Sequence, residues 1–323
     1  MTVMSLSRSL RQIVCKCFAA GLPACLALLS FAYPLTAQDR VVESKKDGTQ
    51  QIPRIRVSQD LVLVRTTVTD PLNRFITGLQ KEDFRVFEDK VEQEIVYFGT
   101  SNSPVSVGLI LDTSGSMKDN IATARSSLQR FMDQGDSRDE YFLITFNQRS
   151  ALVQDFTSSR QEIVNKIAWT KPTGQTALYD AIYLGLEKIE EGQFDKKALI
   201  VVSDGETNSD RYTFEDIAEV AAEAQAQIYA LAERGEAGYG VSVLKRLTDI
   251  SGGRIFYPGS FQQLSYYVDY IHSELRHQYV LGFNSNAGPS DDEYRDLEVR
   301  VDPPEGLPRL SIRHRTSYYA PRR

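Results

Sequence analysis

The stretch LILDTSGSM, Leu109 to Met117, ends an apolar run on Asp112 and then sets hydroxyls at Ser114 and Ser116. A carboxylate followed by hydroxyls at every second position suits helix capping, nucleophilic chemistry, or the holding of a hard cation. A second apolar run, ALIVVS, gives way in the same manner to Asp204, and between the two TGQTALYDAI sets Thr173, Gly174 and Thr176 just before a segment of helical spacing. If both apolar runs are parallel strands, both carboxylates leave the sheet at its carboxyl edge, where open α/β sheets bind ligands. Two acids and several hydroxyls then share one small volume. Mg²⁺ takes oxygen ligands in near-octahedral geometry at ~2.0–2.1 Å and keeps waters or a ligand's oxygen in its shell. Asp112 and Asp204 balance the charge of such an ion, while Ser114, Ser116 and Thr176 add neutral lone pairs and leave it able to accept a partner's carboxylate. The expected cation is Mg²⁺, with Mn²⁺ or Ca²⁺ as alternatives. Zinc is a poor match, because Cys15, Cys17 and Cys25 all lie near the start of the chain and His272, His277 and His314 near its end.

Each residue also has a purely local reading. Asp112 or Ser116 alone could cap the helix expected from about Met117 (Ile121, Ala124, Leu128, Phe131), and Thr173 could cap the helix of Leu178 and Ile182. Asp180 reads as a solvated helix residue, and Glu206, Asp210, Glu215 and Asp216 as acids favouring the start of the next helix. Catalytic patterns are weaker. A nucleophile at Ser114 or Ser116 lacks a base, GYGVSV at Gly238 lacks the third glycine of a dinucleotide loop, and neither a G-x-x-x-x-G-K-[ST] nor a G-x-S-x-G occurs. The expectation is a binding module, not an enzyme, with no small-molecule cofactor.

The positioning elements are legible as a change of texture along the chain. Residues 1–37 place Arg8, Arg11 and Lys16 before an apolar run that ends at a small-residue site after Ala37, the pattern of a cleaved export signal. Export to a periplasm or beyond the cell is expected, with membrane contact only if this segment stays uncleaved. Without it the net charge moves from −6 to −9, which does not favour nucleic acid. Residues 38–57 read as a flexible polar leader. Residues 58–100 are strand-like, including FRVFEDKVEQEIVYF around a Glu88-Asp89-Lys90 turn, and residues 279–320 alternate in the same way at Leu297, Val299 and Val301. Between them, over 103–278, the apolar runs VSVGLIL, YFLITF, ALIVVS and QIYALA alternate with helical spacings. Runs apolar on both faces predict a mostly parallel sheet covered by helices, an α/β domain. The two flanks are expected to pair into one small β-sandwich-like domain with the α/β domain inserted in it.

The set DTSGS, GQT and SDGE, in that order and separated by α/β elements, resembles the metal-ion-dependent adhesion site of von Willebrand factor type A domains. The resemblance spans about 175 residues and implies that Asp112, Ser114, Ser116, Thr176 and Asp204 hold the cation. It also implies a doubly wound, Rossmann-like sheet of six strands with one antiparallel edge strand, which SALVQDF could supply. The flanks more weakly resemble those of an exported bacterial von Willebrand-related family. The function expected on this basis is cation-dependent binding of a partner protein that presents an Asp or Glu carboxylate. A periplasmic assembly or scaffold subunit with a purely structural metal is the alternative, and an exported metal-dependent hydrolase fits less well.

Overall fold

The computed structural model describes residues 61–320 except 101–102, 206, 233–238, 286–292, 304–305 and 307–308. The export-signal and leader readings of residues 1–57, and the reading of Glu206, lie outside the described residues.

The apolar runs that opened the sequence reading become the centre of a six-stranded sheet. Strands β5 (Val105–Asp112), β6 (Glu140–Phe146), β8 (Lys196–Ser203) and β9 (Ala226–Ala232) are followed in the chain by β10 (Arg254–Phe256), and β7 (Ser150–Thr157) closes the other edge. The order is β10-β9-β8-β5-β6-β7, parallel throughout except for β7, which runs antiparallel to β6. Every residue of β5 is buried, as a strand covered on both faces must be. Helices α1 (Ile121–Gln134), α2 (Arg160–Ala168) and α6 (Leu264–Arg276) cover one face through Leu128, Phe131, Ile163 and Ile271. Helices α3 (Leu178–Ile189), α4 (Phe214–Glu223) and α5 (Tyr239–Ser251) cover the other through Ile182, Leu186, Ile217 and Leu244. A Cβ at Gly185 would lie 2.6 Å from the Ile110 side chain, so this glycine lets α3 approach β5 closely.

The remaining strands form two antiparallel four-stranded sheets. One has the order β13 (Ser311–Arg313), β1 (Leu61–Thr69), β11 (Tyr279–Asn284), β4 (Ile95–Thr100); the other has β14 (Ser317–Ala320), β12 (Glu293–Val301), β2 (Phe84–Glu88), β3 (Val91–Gln93). Val64, Leu281 and Phe283 from the first pack with Phe84, Val86, Leu297 and Val299 from the second. Asp89 and Lys90 turn the β2–β3 hairpin with φ of 47° and 69°, the left-handed pair a two-residue hairpin requires. Thr100 pairs with Tyr279, so the chain leaves this β layer for the six-stranded sheet and returns to it at neighbouring positions. The fold class expected from the sequence is therefore found: a doubly wound, mostly parallel six-stranded sheet, with antiparallel sheets built from strands of both flanks.

Two local readings need correction. Asp180 is not solvated: it is 3% exposed, accepts from Arg211 Nε at 2.6 Å and from the Arg211 N–H at 2.9 Å. Asp210 serves α3, since its Oδ1 accepts from the Tyr179 N–H at 2.7 Å, whereas the α4 N-terminus is closed by Thr213 and Asp216 in a reciprocal capping box.

Candidate metal centre

Asp112 is the last residue of β5, and its neighbour in register places it beside Ser203, the last residue of β8. Asp204 follows Ser203 directly, so the two acids emerge from adjacent parallel strands at one carboxyl edge. The Asp112 carboxylate is fully buried. Its Oδ1 accepts from the Ser114 N–H at 2.8 Å and its Oδ2 from the Ser203 hydroxyl at 2.6 Å. Burial first, and then the charge of Asp204, push its pKa up to about 6, against the pull of those hydrogen bonds.

The hydroxyls follow from the turn after β5. Ser114 is 1% exposed, Ser116 is exposed, and their Oγ atoms lie 3.0 Å apart, within hydrogen-bonding reach of each other. Neither Asp112 nor Ser116 caps α1: the N-cap is Asn120, without a side-chain capping bond, and a 3₁₀ turn over Gly115–Asp119 intervenes. The capping alternative for these residues therefore finds no partner on α1.

The loop before α3 is laced to the same edge by backbone hydrogen bonds. Thr173 donates its N–H to Thr113 O at 2.8 Å, and Gly115 donates to Gly174 O at 3.0 Å, which Gly174 permits by taking φ +81°. Thr173 does not cap α3, whose N-cap is Ala177. Thr176 is 1% exposed; its N–H donates to Asn208 Oδ1 at 2.9 Å, and its carbonyl accepts from the N–H groups of Asn208 and Ser209 at 3.0 and 3.2 Å. The loop carrying Thr176 is thereby joined on one side to the Asp112 turn and on the other to the segment after Asp204.

The donor types fit a hard cation. Among the described residues no group of three or more His, Cys, Asp and Glu side chains gathers as a metal cluster. The chemistry at this edge is instead two carboxylates with hydroxyl oxygens, a set suited to a cation that accepts neutral oxygens and keeps part of its shell for another ligand. Ser203 and Asn208 were not among the residues singled out from the sequence. Ser203 sits inside the apolar run that marked it as strand core, and Asn208 acts through a backbone contact 32 residues away in sequence.

A family model described as von Willebrand factor type A domain matches residues 106–269. Among solved structures, a von Willebrand factor type A protein from Catenulispora acidiphila aligns over 73% of this chain and 72% of its own, with 11% identity and a TM-score of 0.49. The conserved hypothetical protein BatB from Bacteroides thetaiotaomicron aligns over 53% and 98%, with 18% identity and a TM-score of 0.44. The vWF domain of the type V pili tip protein Mfa5 from Porphyromonas gingivalis aligns over 54% and 95%, with 13% identity and a TM-score of 0.43. A search of curated proteins finds no match.

Proposed function

The chain belongs to the von Willebrand factor type A domain family, and from that premise we propose that it is an exported, non-enzymatic module that binds a partner protein through a divalent cation. Asp112, Ser114, Ser116, Thr176 and Asp204 would hold Mg²⁺, or Mn²⁺ or Ca²⁺ in its place. When bound, the cation supplies a Lewis-acidic position for an Asp or Glu carboxylate of the partner. The observation that carries the reading is the buried Asp112 carboxylate, raised to about pKa 6 beside Asp204 and backed by paired serine hydroxyls that cap no helix.

This chain's own residues divide the work. Ser203 and the Ser114 N–H fix the Asp112 carboxylate in one orientation. The Gly115–Gly174 and Thr173–Thr113 hydrogen bonds hold the hydroxyl-bearing loops at a fixed separation, so the donors are arranged before a ligand arrives. The export reading rests on residues 1–37 alone; among the described residues no helix is long and apolar enough to cross a membrane.

The partner-carboxylate step is tested with Mn²⁺-loaded protein and a pair of short capped peptides, one with a central Asp and one with Asn. The Asp peptide is expected to displace water from the ion and lower the water-proton relaxation that bound Mn²⁺ produces, while the Asn peptide leaves it unchanged. Thr176→Ala should weaken Mn²⁺ binding roughly tenfold, the worth of about one oxygen ligand, without lowering Tm in chelator. Equal effects of the two peptides would contradict the carboxylate step.

A further inference from the structure

At the amino edge of the six-stranded sheet, the end opposite Asp112, two arginines from the β layer enter the α/β layer. Arg65 of β1 is 8% exposed and donates through Nη1 to Gln225 O at 3.0 Å, and through Nη2 to Asp195 O. Arg315, between β13 and β14, donates through Nη2 to Ala222 O and through Nε to Ser317 O, both at 2.8 Å. All four acceptors are main-chain carbonyls, and two of them lie at the C-terminal end of α4. The whole C-terminal end of a helix carries only about half a negative charge, so its carbonyls together hold a cation weakly. Among the described residues neither guanidinium forms an ion pair with a carboxylate. Burial, and then the neighbouring Arg65, pull the Arg315 guanidinium down to about 10. Lys196 stands nearby, its Nζ donating to Leu275 O at 2.7 Å; burial first, and then Arg276 and Arg65, lower its pKa to about 7. Asp195 and Glu190 supply Arg65 with negative charge, but among the described residues no carboxylate does so for Arg315, which therefore calls for a counter-charge of its own.

Space for one exists. Arg65 and Arg315 both line a cavity of about 10 Å³, the room of a single water-sized group, together with Gln225, Gln227 and Ser251. A second cavity of about 380 Å³ adjoins it, sharing Arg315 and Gln225, and its wall is Leu61, Val62 and Leu63 of β1 with Tyr318 and Tyr319 of β14. Among the described residues, β13 pairs with β1 only at Thr67–Thr69, so the edge of β1 over Leu61–Leu63 faces this second cavity without a strand alongside. Glu223, which also lines this cavity, is exposed and makes no ion pair with Arg315.

We propose that the larger cavity binds a carboxylate carried on an apolar body, the carboxylate meeting Arg315 and the body lying along Leu61–Leu63 and Tyr319. Arg315 spends Nε and Nη2 on main-chain carbonyls, which leaves Nη1 for a charge-assisted hydrogen bond to a carboxylate oxygen in the larger cavity. The carboxylate can come from a free organic acid or from the C-terminus of a peptide. The site lies at the other end of the sheet from the cation-binding reading and does not depend on it.

The test uses the purified chain in excess EDTA, with ligand-observed NMR titrations of hexanoate against hexanamide, and of a capped pentapeptide ending in Phe with a free against an amidated C-terminus. At least one carboxylate is expected to bind saturably while its neutral counterpart does not, and the tighter of the two identifies the source. Arg315→Met should weaken it roughly tenfold or more, as loss of a charge-assisted hydrogen-bonding partner does. Tyr319→Ala should weaken it several-fold, and this variant carries the test if Arg315→Met fails to fold. Absence of saturable binding, equal affinity in both variants, or chloride competing at the same concentration as hexanoate would overturn the proposal, the last by leaving an inorganic-anion site only.

Discussion

Asp112→Asn is expected to leave the chelator-treated protein at least as stable as the parent at pH 7.5, while abolishing every stabilisation by Mg²⁺ or Mn²⁺. The sign follows from burial. The folded-state pKa of Asp112 is raised to about 6 from an ordinary 3.8, chiefly by desolvation. A raised carboxyl pKa means the folded state disfavours the carboxylate: the penalty is absent below about pH 4, grows through pH 4–6, and is fully present above about pH 6. Its size is about 3 kcal/mol by the linkage relation. Asn removes the charge but meets the Ser203 hydroxyl and the Ser114 N–H imperfectly, so a net gain of about 1 kcal/mol at pH 7.5, near 2–4 °C in Tm, is the expected outcome. At pH 4.5, where only about 1 kcal/mol of the penalty remains, the gain should be gone and the variant about 1 kcal/mol less stable than the parent. In the parent, a bound cation offsets the penalty, and at a hundredfold excess over its Kd adds about 2.7 kcal/mol. Melting curves of both proteins with EDTA and with Mg²⁺, at the two pH values, check all of this. A variant that melts well below the parent in EDTA at pH 7.5 would mean that Asp112 serves the fold and not a cation.

Arg313→Ala should destabilise the chain by about 3–5 kcal/mol. Glu274 of α6 is 0% exposed, and accepts from the Thr67 hydroxyl at 3.2 Å and from Arg313 Nη1 at 3.1 Å. These contacts tie the helix of the α/β layer to β1 and β13 of the β layer. Burial raises the Glu274 pKa, and Arg313 is the strongest of the influences opposing it. Without Arg313 the carboxylate remains buried with the Thr67 hydroxyl and the charge of Arg254 to hold it, and no direct ion pair among the described residues. Because protonation relieves that cost, the loss should be smaller at pH 5 than at pH 8. The pair itself contributes far less than its rupture costs, so Glu274→Met combined with Arg313→Met should recover most of the stability, and urea melts of the singles and the double form the cycle that measures the coupling. A single Arg313→Ala within 1 kcal/mol of the parent would show that the two layers do not depend on this contact.

What the sequence made legible and what it did not have a common physical basis. Asp112 and Asp204 stood out because each follows a run apolar on both faces, and such runs have few arrangements other than central parallel strands. The flanking sheets were legible in the alternation of Leu297, Val299 and Val301, which requires one buried face. Asp180 was misread because helical spacing reports which face of a helix is apolar and says nothing of Arg211, delivered to it by a loop 31 residues further on. Ser203 was hidden by its own strand, since a hydroxyl at the end of ALIVVS looks like the close of a core run until Asp112 is placed beside it. Arg65, Glu274 and Arg315 left no local trace. Their partners come from elements up to two hundred residues away, and only the pairing of β1 with β11 and β13 brings the two layers together there. The feature that most changes the reading of the cation edge is likewise tertiary: α1 begins at Ile121 with Asn120 as N-cap, which leaves Ser114 and Ser116 without a capping duty on that helix.

The central claim is that Asp112, Ser114, Ser116, Thr176 and Asp204 hold a divalent cation. Isothermal titration of Mn²⁺ into the chelator-treated chain tests it most directly. The account predicts one saturable site per chain, competed by Mg²⁺ and lost in Asp112→Asn. No heat of binding in the parent, or the same site surviving in the variant, would contradict it.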